Sequence, residues 1–160
     1  MAVAQDVRLP IGLFVAIASA LTAGIFFAFS TFVMPALGQQ TTAAGIAAMQ
    51  SINITVINPW FMLVFLGPGV AGLVLTLTTF RQLGQPGALY WLAGTMLYLI
   101  GTIGVTVAGN VPLNDALAVV NPDSAAGATL WAKYLTDWTL WNHVRTVAAA
   151  VAAVLFTLSL

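Results

Sequence analysis

The chain has no cysteine and no glutamate, a single histidine, and only four basic and four acidic side chains among 160 residues. Without cysteine there can be no disulfide, thiolate metal site or cysteine nucleophile. A metal cage draws on several His, Cys, Asp or Glu ligands, and this set is too sparse for one, which leaves haem on a single axial His143 as the metal group still conceivable. The charges cancel, and no basic cluster exists that could track phosphates or gather anionic lipid heads; nucleic acid is not an expected partner. No phosphate loop or Gly-x-Gly-x-x-Gly turn is present, and "GPGVAG" (67–72) lies inside an apolar run with no polar site after it.

What remains is largely apolar. Hydrophobic residues make up 61% of the chain and charged ones 5%, against roughly 25% charged in ordinary soluble domains. The class is an integral membrane protein with the bilayer as its first partner. Four runs approach the roughly 20 apolar residues that a span needs, at about 10–36, 59–80, 88–108 and 140–160. Pro10 and Pro35 bracket the first, Asn58-Pro59 precedes the second, "RQLGQPG" (81–87) parts the second from the third, and Asn110-Val111-Pro112 ends the third. Lipid offers no partner to backbone N–H and C=O groups, so these runs are helices. The first is longer than the roughly 7–15-residue core of a signal peptide and reads as a retained span. The expected fold is therefore an all-α four-helix membrane bundle, one domain over residues 1–160.

Two connections are long. Residues 37–58 carry Ile46, Met49, Ile52 and Val56 at helical spacing among glutamines and asparagines, which predicts a short amphipathic helix at the membrane surface. Residues 109–138 contain Asp115, Asp123, Asp137 and Lys133, a net charge of −2 from three acids and one base, and predict one or two short helices. Arg8 and Arg81 flank the opposite side, which places both termini in the cytoplasm of a bacterial inner membrane. Small residues recur every four along the spans, as Ala16, Ala20, Gly24 and Ala28, as Gly67 and Ala71, as Gly104 and Ala108, and as Arg145, Ala149 and Ala153. Such stripes suit close helix packing, self-association or assembly with a partner subunit.

Polar side chains converge on the end that carries the long connections: Ser30, Thr31, Asn53, Asn58, Asn110, Asn114, Asn142, His143 and Arg145. In the stretch "WTLWNHVRT" (138–146), Trp138, Asn142 and Arg145 follow i, i+4, i+7 and share a helix face, with Trp141 beside it; His143 lies about 100° from Asn142. Each group also has an ordinary role open to it. Arg145 could snorkel to headgroups, Trp60, Trp131, Trp138 and Trp141 could form an interfacial belt, and Asn58, Asn110 and Asn114 could cap helices. Taken together, they suggest a polar pocket just inside the outer end of the bundle, with a general acid/base and amide donors as its available chemistry.

The segments "FSTFVMPAL" (29–37), "GIAAMQSIN" (45–53) with "NPWFM" (58–62), "GNVPLNDALA" (109–118) and "WAKYLTDWTLWNHVRT" (131–146) resemble the anthrone oxygenases, small four-span membrane proteins many of which have no assigned reaction. The resemblance covers nearly the whole chain. It implies conversion of an anthrone-type aromatic substrate by dioxygen without a cofactor, the substrate enolate supplying the electrons. On this reading His143 is the base, while Arg145 with Asn110, Asn114 or Asn142 stabilises the oxyanion. Trp60, Trp138 or Trp141 stacks on the ring system, and Asn53 and Asn58 complete the substrate site. The alternative is a non-enzymatic membrane protein that holds a lipid, quinone or small metabolite in the same pocket.

Overall fold

A computed structural model describes residues 8–79 and 87–160. Asp6, Arg81 and the separating segment 81–86 lie outside the described residues. Among the described residues there are five helices and no strand: α1 (Arg8–Gly38), α2 (Thr42–Thr55), α3 (Pro59–Thr79), α4 (Ala88–Ala118) and α5 (Ala125–Leu158). α1, α3, α4 and α5 are each long and apolar enough to cross a membrane. α5 packs along both α1 and α4, and α3 closes against the same two helices. Short π-helical segments interrupt α1 at Phe29–Val33 and α4 at Tyr98–Gly104 and Thr106–Asn110.

The fourth span starts well before residue 140. Its helix runs for 34 residues from Ala125, capped by Ser124, whose Oγ accepts from the Gly127 N–H at 3.0 Å. At 1.5 Å per residue that is about 51 Å, well beyond the roughly 30 Å of hydrocarbon. Composition hides the first four turns because Lys133 and Thr136 lie on the outer face, while Gly127, Trp131, Tyr134 and Trp138 are buried at helical spacing. The helix expected after the third span, Val111–Ala118, continues α4 directly and leaves only 119–124 as a connecting turn.

Two apolar cores result. One fills the bundle with Val15, Ala16, Ala23, Tyr98, Ala149, Ala152 and Phe156. The other joins α2 to the overhanging ends through Met34, Ile46, Met49, Leu117, Trp131, Tyr134 and Trp138. The spacing of Ile46 and Met49 thus marks a helix as expected, but that face packs on the protein's own helices. Gln50 of α2 donates to the Leu117 and Val120 carbonyls at 2.8 and 3.1 Å, supplying partners to the end of α4.

The small-residue stripes divide. Arg145, Ala149 and Ala153 are all buried, and Ala71 packs on the bundle core. On α1, however, Ala20 and Gly24 are exposed, and a Cβ on Gly24 would meet nothing within 4 Å. The packed face there is Gly12, Val15, Ala16, Ser19, Thr22, Ala23 and Phe26, because α1 must serve α3 and α5 together. Gly104 and Ala108 are likewise exposed. Gly87 has φ 81°, and a Cβ there would lie 2.7 Å from the Ser159 carbonyl, so the turn into α4 requires glycine.

Pro68 lies inside α3 and has no N–H to give to the Val64 carbonyl. Thr22 of α1 supplies the missing bond, its hydroxyl reaching Val64 O at 3.2 Å as well as Ala18 O at 2.9 Å. Tyr98 of α4 adds a bond to the next carbonyl, Phe65 O, at 2.8 Å. Thr22→Val keeps the shape and removes this donor. Denaturant titration in detergent should show a loss of about 1 kcal/mol, and unchanged stability would mean that the Pro68 defect needs no brace from α1.

Candidate functional site

The junction between the two cores holds Arg145, only 7% exposed. Among the described residues no carboxylate lies within ion-pair distance of it; Asp137 pairs with Lys133 at 3.9 Å at the surface, and Asp115 is exposed. A guanidinium at this depth is expensive unless its donors are met and its charge is faced. Nε donates to Asn142 Oδ1 at 2.9 Å and Nη1 to Thr106 Oγ1 at 3.3 Å. Its carbon lies 3.9 Å from the Phe26 ring centroid and 5.0 Å from that of Trp138. Ring faces attract a desolvated cation by about 2 kcal/mol. They do not neutralise it.

Asn142 is fully buried and spends every polar atom on the protein itself. Its Nδ2 donates to Phe26 O and Ser30 Oγ, both at 2.7 Å, and its Oδ1 receives Arg145. Thr146 closes the set by donating to the Asn142 carbonyl at 2.6 Å. Asn142 therefore aims the arginine and has no donor left for a ligand. The π-helical segments bear directly on this arrangement. Ser30 lies in the one on α1, and Thr106 and Asn110 lie in one on α4. Such segments are rare in helices and frequent at functional sites, where the extra residue per turn redirects side chains.

A second tier lies toward the overhanging ends. Asn114 Oδ1 accepts from Tyr134 Oη at 2.7 Å and from Trp138 Nε1 at 2.8 Å, and Asn53 Nδ2 reaches Tyr134 Oη at 3.5 Å. Trp131, Tyr134 and Trp138 stack in series with centroids 5.6 and 5.8 Å apart. Asn110 joins the tiers by donating from Nδ2 to the Trp138 carbonyl at 3.1 Å, while its buried Oδ1 has no partner.

The expected residues separate accordingly. Trp138, Asn142, Arg145, Asn110, Asn114 and Asn53 are brought together in these two tiers. His143 is exposed on the outer side of α5, because one residue of helix turns it about 100° away from the inward Asn142. Trp60 is 80% exposed, in keeping with an interfacial belt. Asn58 is a cap: its Oδ1 accepts from the Phe61 N–H at 3.0 Å. Trp141 is partly exposed and lies against Gly109, where a Cβ would come within 2.6 Å of its ring. Phe26, Thr106 and Tyr134 were not among the expected residues. Thr102, Thr106 and Asn110 recur every four residues within an apolar run, and Trp131, Tyr134 and Trp138 follow the inward spacing of α5, so the sequence does contain a signal for the latter two.

This geometry defines a class: a helical membrane protein whose last described span holds an arginine in a buried polar group, with no carboxylate beside it among the described residues. The anthrone oxygenase family model matches residues 61–155, more than half of the chain, and the chain belongs to that family. The match takes in Asn110, Asn114, Trp138, Asn142 and Arg145, and stops short of Phe26, Ser30 and Asn53. No curated protein and no solved structure shows a significant match.

Proposed function

We propose that the protein oxidises an anthrone-type, electron-rich aromatic substrate with dioxygen and no cofactor, and that Arg145 holds the substrate's anionic oxygen. The observation that carries this reading is the buried guanidinium bonded only to neutral acceptors and ring faces. Loss of a proton from the CH₂ group gives an enolate, whose charge rests mainly on oxygen and whose carbon is rich enough in electrons to react with dioxygen. A carbon–oxygen bond forms and the peroxide takes up a proton. Loss of the second C–H proton with cleavage of the O–O bond then gives the quinone and water. The substrate supplies all four electrons.

Arg145 lowers the barrier by stabilising the enolate before and during reaction with oxygen. Trp138 and Phe26, already facing the guanidinium, offer the flat surfaces on which an aromatic substrate could rest once one of them yields its place. None of the gathered side chains is a strong base, so on this reading the CH₂ proton goes to solvent, its loss eased by Arg145 stabilising the enolate oxygen that forms. His143 is too far round α5 for the role of base. A general base supplies about 10²–10⁴-fold; His143→Ala should change oxygen uptake by less than about tenfold, and a loss within that larger range would return His143 to the mechanism.

The close covering of Arg145 by Phe26 and Trp138 favours, as a second reading, a protein that holds an anionic lipid, quinone or metabolite without turnover. Oxygen uptake by the protein in lipid nanodiscs, given an anthrone, separates the two: uptake no faster than with empty nanodiscs supports holding alone. Arg8, at the end of α1 opposite the overhanging tier, supports placing both termini in the cytoplasm of a bacterial inner membrane. A reporter fused to either terminus tests it.

A further inference from the structure

Asn110 contributes a second half to the site. It is 1% exposed, and with Nδ2 committed to the Trp138 carbonyl its Oδ1 is a buried acceptor lacking any donor. Such an atom is costly to leave unmet. It ends the same π-helical segment that begins at Thr106, the residue bonded to Arg145. Arg145 of α5 is thus tied to Asn110 of α4 through Thr106, about one turn before it, and the two groups have opposite appetites: Arg145 can only donate, and the free atom of Asn110 can only accept. The adjoining Gly109 lacks the Cβ that would strike Trp141 at 2.6 Å, so this indole lies directly against the backbone next to Asn110.

We propose that Asn110 is a specificity-determining residue whose Oδ1 accepts a hydrogen bond from the hydroxyl of a ligand whose anionic oxygen rests on Arg145. This rests on the reading of Arg145 as the oxyanion holder, and it names a narrower ligand class: a ring system with an oxyanion and a separate free hydroxyl. A hydroxyl next to the keto oxygen closes an internal hydrogen bond and has no proton to spare. The hydroxyl that Asn110 reads is therefore on a ring carbon away from that oxygen. A site built to meet a hydroxyl disfavours the analogue that lacks it, because the acceptor is then buried unmet.

The test compares unsubstituted anthrone with a monohydroxyanthrone whose hydroxyl lies away from the keto group. Binding to the full chain in nanodiscs is followed without oxygen by quenching of tryptophan fluorescence, and oxygen uptake is measured afterwards. The wild type should bind the hydroxylated compound roughly tenfold or more tightly, and Asn110→Leu should bring the ratio close to one. A purely structural role would weaken both compounds together and leave the ratio intact. Equal binding of the two by the wild type, or no binding of either, overturns the proposal even if Asn110→Leu fails to fold. A preference that depends on Asn110 but is followed by no oxygen uptake sustains it and removes the oxygenase reading instead.

Discussion

Arg145→Met should lose oxygen uptake by about 10²–10³-fold, the range seen when a single oxyanion donor is removed from a preorganised site. The fold should survive. Methionine matches much of the length of arginine, and the desolvation of the charge that it relieves offsets the roughly 1–3 kcal/mol of leaving the Asn142 acceptor unmet. The polar atoms left behind are Asn142 Oδ1 and Thr106 Oγ1, both neutral acceptors. Thr106 retains its own bond to the Thr102 carbonyl at 2.7 Å. Thermal denaturation near that of the wild type, together with the kinetic loss, separates a chemical role from a structural one. Arg145→Lys is the more delicate comparison. It keeps the charge but loses the planar fork that meets Asn142 and Thr106 together, and it should fall between the other two. Full activity in Arg145→Met would leave the guanidinium as an element of folding only.

Asn142→Leu should be the most destabilising single change at the site, by about 3 kcal/mol or more, because it withdraws the partner of a buried charge. Arg145 Nε, Phe26 O and Ser30 Oγ all lose a contact under 3 Å. Ser30 keeps only a longer contact to Thr146 at 3.4 Å. Most of the penalty should come from the guanidinium left without its best acceptor. The double variant Asn142→Leu/Arg145→Met should accordingly be more stable than Asn142→Leu alone, a reversal that a double-mutant cycle resolves. Additive losses would show that Asn142 supports α1 and does little for Arg145.

The all-helical membrane class was legible because 61% apolar composition and runs of about 20 residues leave little alternative. The inward face of Trp138, Asn142 and Arg145 was legible for the same kind of reason, since helical periodicity alone puts them together. The start of α5 was not. Its first four turns look like a polar connection until α2 is seen packing on Trp131 and Tyr134. Likewise the stripe Ala16, Ala20, Gly24 and Ala28 has the right spacing, but which face of α1 turns inward depends on two neighbours that sequence does not place. His143 shows the limit most plainly. It is next to Asn142 in sequence, yet one residue of helix is enough to put it on the outside. The roles of the asparagines could not be read either. Asn58 caps, Asn142 aims the arginine, and Asn110 presents an acceptor, and each distinction depends on which polar atoms are already taken.

On the proposed reading, the charge on Arg145 lets this protein oxygenate an electron-rich aromatic without a cofactor. The most direct measurement is oxygen consumption by the purified chain in lipid nanodiscs, with anthrone as substrate and a metal chelator present, set against product formed. The expected result is saturable uptake well above the spontaneous rate, one dioxygen consumed for each anthraquinone, and loss of that uptake in Arg145→Met. Uptake at the rate of empty nanodiscs, or uptake that the chelator abolishes, would contradict it.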